Sequence, residues 1–424
     1  MAALVPIVIL CAALAAPLAL AAPAWGLSAS GRLTTSLYGY EGADADGGSA
    51  THLRAYQGAR LDLGDLGLAG LSFHTYLRAT TDVADQADSD PRLQVYAANL
   101  DWKRQGTRLQ LGRQRIQAGV GYGSIDGLRA DASYAGLGLT AYAGALVPLN
   151  TSTDISSFGA AHLWGLRLST ERFLGTSVAL SFADRERDPE PFDQPGQYSG
   201  LVGDRPAVKR RLVGLDAYRQ FARGHSLRGR LDADLHAGSL RRAEVGGRYQ
   251  ICSDLGLELG YMRREPSVYY NSVLSVFDAE GYQEIEARLH YRLSPDLGLS
   301  GSAAALFYDG ADAQRLGITA SLGSSYTLGY YRSMGYAGAN DGLVGSLYYP
   351  VSRRLVLRGQ LDLAAYERYE DADERDGLVT GALGATYRPS RTTSLDLQLQ
   401  GLRNPTHTSD LRVFVRGSWR FFRG

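Results

Sequence analysis

The chain has 424 residues, of which 45% are apolar and 21% are charged, and its formal net charge is zero. This balance of charge argues against a nucleic-acid partner. No apolar run of 18 residues follows the N-terminal region, which excludes a helical membrane protein. The 51 glycines and 26 tyrosines suit a chain with many turns and with aromatic girdles.

The N-terminal segment has the pattern of a secretory signal peptide. Residues 4–21 form an apolar run that ends in small residues, and Ala22-Pro23-Ala24 resembles a cleavage site, although the segment before the run lacks Lys and Arg. We therefore predict a signal peptide over 1–24 and one exported domain over 25–424. Cys11 lies in the apolar run, so Cys252 is alone in the exported chain and no disulfide is expected.

The exported chain alternates between apolar and polar residues with a period of two, which is the signature of β-strands. Residues 227–237 place Leu, Gly or Ala at every second position and Arg, Asp or His between them. The same alternation recurs over 242–251 and 284–293, and near the end over 411–421. Segments of about ten residues with an apolar outer face and a polar inner face are typical of transmembrane β-barrels.

We predict an all-β fold, a transmembrane antiparallel β-barrel of about 22 strands, between roughly 18 and 24, with no N-terminal plug domain. The predicted strands cover 29–41, 52–63, 68–80, 92–103, 107–114, 126–134, 137–147, 159–172, 176–186, 208–222, 226–238, 240–251, 255–265, 282–293, 297–308, 314–322, 327–336, 342–351, 354–367, 378–388, 393–402 and 410–422.

The connections between these strands alternate in length. The even-numbered ones are tight turns, such as Ala135-Gly136 and Ser352-Arg353, and most odd-numbered ones are long, including 115–125, 187–207 and 266–281. Long loops on one side and short turns on the other are typical of bacterial outer-membrane barrels. The connection near Ser239 is an exception, because it belongs to the long set and is short.

Two short motifs support this class. Leu111-Gly112-Arg113-Gln114, followed by Ile125-Asp126-Gly127, resembles a strand-and-loop phrase of porins and of alginate-export-like barrels. The ending Gly417-Ser418-Trp419-Arg420-Phe421 is similar to the C-terminal signal read by the barrel-insertion machinery, but its glycine is one residue closer to the aromatics and three residues follow it. The resemblance implies a porin-type barrel in the outer membrane of a Gram-negative bacterium.

Charged residues on the polar face of four predicted strands are the candidate functional residues. The predicted lumen-lining residues are Arg228, Arg230, Asp232, Asp234, His236, Arg242, Glu244, Arg248, Glu258, Glu284, Glu286, Arg288, His290 and Arg292. One interpretation is a wall whose ion pairs compensate one another. The other is a surface of fixed charges that selects solutes along a pore.

Other candidate features are weaker. The Pro-rich connection 187–207 is interpreted either as a surface loop or as a loop that folds into the lumen. Acidic residues over 44–46 and 371–376 do not match a calcium loop, so solvated loops are favoured. The glycines of 119–123 lack the spacing and the helix of a phosphate-binding loop. No catalytic residues, metal or cofactor are predicted.

The sequence predicts a channel for passive diffusion of small hydrophilic or charged solutes, with outer-membrane lipid around it, and not an enzyme. Two alternatives stay open. Twenty-two strands imply a radius of roughly 22 Å, wide enough for a sheath that encloses a multihaem cytochrome as a lumen-bound or periplasmic partner. The chain lacks the CxxC near the mature N-terminus that one such family carries. A polysaccharide-export barrel is the other alternative.

Overall fold

The computed structural model describes residues 27–43, 49–84, 93–188, 208–265, 281–336, 338–367, 374–405 and 409–423. These residues form 22 β-strands and one short 3-10 helix, Ala222–Gly224. The strands are β1 Ser28–Ala43, β2 Ser49–Gly64, β3 Leu71–Asp82, β4 Leu93–Arg104, β5 Thr107–Ala118, β6 Gly121–Tyr134, β7 Leu137–Leu146, β8 Ala161–Phe173, β9 Thr176–Arg187, β10 Val208–Gln220, β11 Ser226–Asp234, β12 Ser239–Gln250, β13 Leu255–Arg264, β14 Tyr282–Arg292, β15 Leu297–Phe307, β16 Asp312–Leu322, β17 Tyr326–Gly335, β18 Asn340–Pro350, β19 Leu355–Tyr366, β20 Asp376–Tyr387, β21 Thr393–Arg403 and β22 Asp410–Arg423.

Every strand pairs antiparallel with the strand that follows it, and β1 pairs with β22, from Ala29 opposite Arg423 to Gly39 opposite Val413. This last pairing closes the sheet into a barrel. Closure satisfies the backbone groups of every strand internally, which lipid does not do for an open edge. Among the described residues, no helix has the length and the apolar character to cross a membrane.

The predicted antiparallel β-barrel and its number of strands are confirmed, and most predicted boundaries agree with the structure to within about three residues. The turns between even-numbered and following odd-numbered strands lie at one end of the barrel, with both ends of the described chain, and we call this end the short-turn rim. The other end, which carries the loops between odd-numbered and following even-numbered strands, is the long-connection rim. The predicted long connection 115–125 is wrong, because β5 and β6 extend through it to a two-residue turn.

The outer face of the barrel is a belt of exposed apolar side chains. Leu231 is 47% exposed and Leu361 is 47% exposed, and Leu289, Ile318 and Val415 are exposed in the same way on their own strands. In water such a surface is unfavourable, but in a membrane it is stable because the surrounding lipid acyl chains are equally apolar. The alternating polar residues therefore face the inside of the barrel.

Several predicted features lie outside the described residues. These are the signal peptide over 1–24, most of the connections 187–207 and 266–281, and most of the acidic segments 44–46 and 371–376.

Candidate functional site

The inner face of β10–β14 carries most of the predicted lumen-lining residues in one continuous register. Arg230 lies opposite Asp216 on one side and opposite Glu244 on the other. Glu258 lies opposite Arg248 and Arg288 in the same way. Directly opposed residues of antiparallel strands share a face, so these charged side chains form one surface, which we call the paired wall.

All six predicted arginines of the paired wall form ion pairs. Arg228 Nε lies 3.4 Å from Glu244, and Arg242 also binds Glu244. Arg230 Nε lies 2.9 Å from Asp232 and Arg288 Nε lies 2.8 Å from Glu286. The remaining pairs of this set are Arg248 with Glu258 at 3.9 Å, Arg292 with Asp254 at 3.9 Å, and Glu284 with Arg315 at 2.5 Å. The first interpretation, a self-compensated wall, describes this surface.

Three of the predicted residues have other surroundings. The structure ends β11 at Asp234, so His236 lies in the turn 235–238. The prediction that placed His236 on the strand is wrong. The Asp234 carboxylate accepts backbone N–H groups of His236 and Arg211, at 2.9 and 3.3 Å, and so holds the turn. A β-bulge between Asp232 and Ala233 accompanies this change of direction. His290 stands exposed on the inner face of β14.

A second inner surface, which the predicted set missed, lies on β1 and β19–β22. Its arginines surround a recess of about 210 Å³ near the short-turn rim, and Asp396 is the one carboxylate in its lining. We call this surface the arginine wall, and its cations are Arg32, Arg358, Arg388, Arg391, Arg416 and Arg420.

The arginine wall is not compensated. Arg416 Nε lies 3.4 Å from Asp396, and the Arg32 guanidinium donates to Ser418 Oγ at 3.0 Å. Within the described chain, no carboxylate is within ion-pair distance of the other four arginines of the wall. Arg32 and Arg420 lie directly opposite each other on β1 and β22, so like charges are adjacent. An excess of positive charge follows, and it attracts anions.

The tip of the β5–β6 hairpin, residues 114–124, folds into the barrel. The Val120 N–H donates to Ser181 Oγ at 3.1 Å, and Ser181 belongs to the inner face of β9. Val120 also packs on Gly214 of β10, and Gly121 packs on Tyr142 of β7. Ile116, Ile125, Leu146 and Leu163 are fully buried with them. The tip thus covers the inner surface of four strands and narrows the lumen at this level.

Arg113 holds the point where this hairpin leaves the barrel wall. Pairing of β4 with β5 stops at Arg113, so no strand of the described chain lies beside residues 93–97 of β4 on that side. Residues 150–154 fill the gap: the Val95 N–H donates to the Thr151 carbonyl at 2.9 Å. The Arg113 side chain is 4% exposed and binds Asp126 through two contacts of 2.8 Å.

The Arg113 guanidinium also donates to three backbone carbonyls on the two sides of this gap. The acceptors are Val95, Ser152 and Asp154, at 3.1, 2.5 and 2.7 Å. Gly112 makes the bend, because its φ of +118° belongs to the region that favours glycine. A Cβ at this position would overlap the Ala98 carbonyl.

An ion-pair network lies at the long-connection rim. Arg375 binds Asp341 at 2.8 Å and Glu367 at 3.1 Å, and Glu367 accepts the Ala339 N–H at 2.8 Å. The Ala339 N–H and the Arg375 guanidinium hold the pKa of Glu367 below its ordinary value. This network joins the loop between β19 and β20 to the loop between β17 and β18.

Among the residues that the structure describes, one group of side chains has the geometry to hold a metal ion. The ligand atoms of His162, Asp184 and Glu186 lie within 4.8 Å of one another. However, Arg211 Nε is 3.0 Å from Asp184 and Lys209 Nζ is 3.2 Å from Glu186. The two carboxylates already have cationic partners, so the arrangement is that of an ion-pair network.

Comparisons with known proteins agree with this fold. The ferric enterobactin receptor PfeA of Pseudomonas aeruginosa has a TM-score of 0.58 and 12% identity, over 92% of this chain and 80% of that one. OpdQ of the same bacterium has a TM-score of 0.43 and 10% identity, over 94% and 99%. OccK3 (OpdO) has a TM-score of 0.43 and 11% identity, over 94% and 96%.

No protein-family model and no curated protein matches the chain. At 12% identity the likeness to PfeA shows the β-barrel fold alone.

Proposed function

We propose that the chain is an outer-membrane channel through which small hydrophilic solutes diffuse passively, with a preference for anions. The observation that carries this proposal is the inner surface of the closed barrel, which is ionic along its length and is narrowed by the 114–124 tip. A charged surface inside a lipid-facing barrel is favourable when water and ions fill the space beside it.

The inward tip favours a channel over a sheath. An enclosed cytochrome needs the full bore of the barrel, whereas residues 114–124 occupy the inner surface from β7 to β10. A constriction of this kind limits the size of a passing solute. It leaves less room for a rigid protein.

The two inner walls support the anion preference. The middle strands of the two walls, β21 and β12, are nine strands apart in one direction and thirteen in the other around the ring of 22, so the arginine wall and the paired wall lie on opposite sides of the lumen. The paired wall contributes little net charge, since each of its six predicted arginines has a carboxylate partner. The excess positive charge of the opposite wall then sets the sign of the potential.

Single-channel recording in a planar bilayer tests this proposal. The purified barrel is expected to conduct, with a reversal potential in a salt gradient that indicates anion preference. Replacing residues 116–123 by Asn-Gly should raise the conductance, because the tip no longer occupies the lumen. The matched control replaces residues 308–311, a turn at the same rim, by Asn-Gly, and its conductance should equal that of the wild type.

Two results would contradict the proposal. A non-conducting barrel that co-purifies with a haem-absorbing protein would make the chain a sheath. If the barrel conducts but its conductance does not change when 116–123 is replaced, the narrowest point of the lumen does not lie at the tip.

A further inference from the structure

A recess of about 1030 Å³ lies between the inward tip and the inner faces of β1–β4 and β22. On one side it is lined by Arg115, Tyr122 and residues 123–124 of the tip. On the other side it is lined by the inner faces of β1–β4 and β22. A solute that passes the tip on this side contacts both surfaces at once.

The lining of the recess carries five arginines and a single carboxylate. The arginines are Arg32, Arg60, Arg78, Arg115 and Arg416, and the carboxylate is Asp62. Asp62 is already bound by Arg60 at 3.3 Å and by His74 Nδ1 at 2.6 Å. Within the described chain, Arg32, Arg78 and Arg115 have no carboxylate partner. Unpaired guanidinium groups of this kind bind carboxylates or phosphates.

Tyrosines separate these arginines. The Arg78 guanidinium lies between the rings of Tyr56 and Tyr96, 5.2 and 5.3 Å from their centroids. Gln94 fixes Arg78 further, because it accepts from Arg78 Nε at 2.8 Å. The stacking orients the guanidinium and partly desolvates it, and a preorganised cation binds an anion at a lower entropic cost.

Two further tyrosine rings in the recess expose part of their surface, and the Arg115 guanidinium lies over one of them, Tyr122, 5.1 Å from the ring centroid. Tyr76 stacks on Tyr96 at 5.0 Å and is still 39% exposed. Tyr122 stands on the opposite side, 54% exposed, and accepts a hydrogen bond from Arg115 Nη2 at 2.7 Å. The recess therefore presents aromatic faces beside unpaired guanidinium groups on both sides.

We infer that this recess is a binding site for small aromatic anions, whose ring stacks on Tyr76 or Tyr122 while the carboxylate or phosphate group binds Arg78, Arg115 or Arg32. An inorganic anion would bind the arginines without stacking on the exposed rings, and a neutral aromatic solute would stack on the rings without forming an ion pair. The inference rests on the proposed channel, since it names the solutes that the channel delays or favours.

Benzoate and cyclohexanecarboxylate are the two probes, because they carry the same charge and differ in the aromatic ring. At neutral pH, benzoate should interrupt the chloride current at a concentration about fivefold lower than cyclohexanecarboxylate does, which corresponds to one aromatic contact. The double variant Y76L/Y122L should lose this difference. Arg78→Gln should weaken block by both probes.

The matched control is Arg228→Gln, an arginine on the paired wall, which should leave the difference between the probes intact. Equal block by the two probes, or a preference that survives in Y76L/Y122L, would overturn the inference while the channel stands.

A barrel that does not conduct would overturn the proposed function instead. Titration calorimetry of benzoate into the detergent-solubilised barrel would then still test the site. Tighter binding by the wild type than by Y76L/Y122L would support it, and equal binding would overturn it.

Discussion

The paired wall and the arginine wall have the same outer face and opposite inner characters. Both present leucines to lipid, and both alternate with charged residues on the inside. On the paired wall, each predicted arginine lies within 3.9 Å of a carboxylate, which for half of them is two residues away on the same strand. On the arginine wall, the register places Arg32 opposite Arg420. Alternation therefore determines which face of a strand is ionic, and the neighbours along and across the strands determine whether its charges are compensated.

The largest expected effect tests whether the two walls are alike outside. Leu231→Arg on the paired wall and Leu361→Arg on β19 should each cost about 2–4 kcal/mol of barrel stability, because both side chains face lipid near mid-strand. Leu357→Arg, close to the short-turn rim, should cost about 0–1 kcal/mol. Refolding into lipid vesicles across a urea series measures these differences.

Leu231→Ala and Leu361→Ala are the controls, since they shorten the side chain without adding charge. If Leu231→Arg is neutral and Leu361→Arg is not, the two walls differ on their outer faces as well as on their inner faces.

The second prediction concerns the net charge of each wall. Arg358→Gln with Arg420→Gln removes two unpaired charges. A unit charge about 10 Å from a passing ion contributes about 0.4 kcal/mol in water, or about twofold per residue. Each charge favours the anion and disfavours the cation, so the permeability ratio of anion to cation should fall by about fourfold per residue and by about sixteenfold in the double variant. The ratio is measured as a reversal potential at 0.01 M salt, where the Debye length is about 30 Å.

The matched control is Arg288→Gln with Glu286→Gln, which removes an ion pair and leaves the sum of charges unchanged. Its reversal potential should equal that of the wild type. Replacing Arg228, Arg230 and Arg288 by Gln is the one-sided version on the same wall, and it should shift selectivity toward cations because their carboxylates remain. A larger shift from the control pair than from Arg358 and Arg420 would reverse the roles of the two walls.

The smallest expected effect lies outside both walls, at the long-connection rim. The pKa of Glu367 is held below its ordinary 4.5 by the Ala339 N–H and by Arg375. The contribution of this carboxylate to stability is therefore present above about pH 4.5 and is lost as the pH falls through the lower folded value. The protection factor of the Ala339 amide against hydrogen exchange should fall over that interval. In Glu367→Gln the protection factor should be low at every pH and lack the step.

The strands were predictable because lipid on one side and water on the other impose a strict period of two. The inward tip was not. Residues 115–125 contain three glycines, which suggest a loop, yet the structure uses Gly119 and Gly121 to approach Ser181 and Tyr142 closely. These contacts join residues 20 to 60 positions apart, and no local pattern records them.

The arginine wall had a sequence signal that was visible in part. Arg416 and Arg420 lie on one face of β22, but the residues opposite them belong to β1 and β21, the first and the second-to-last strands. That few carboxylates lie beside these arginines is visible only once closure of the barrel places β22 next to β1. The paired wall was easier, because its strands are consecutive in the chain.

The gap beside β4 has a consequence for how the surface of this protein tolerates change. Connections at the rim of a barrel usually accept insertions and sequence variation, because few contacts depend on them. Residues 150–154 are different, since they complete the barrel wall beside Val95 and supply two of the carbonyls that Arg113 binds. An epitope tag placed there would disturb the sheet itself. This stretch is therefore a poor choice for display or labelling. During evolution its length should vary less than its residue types, because these contacts of 150–154 use backbone carbonyls.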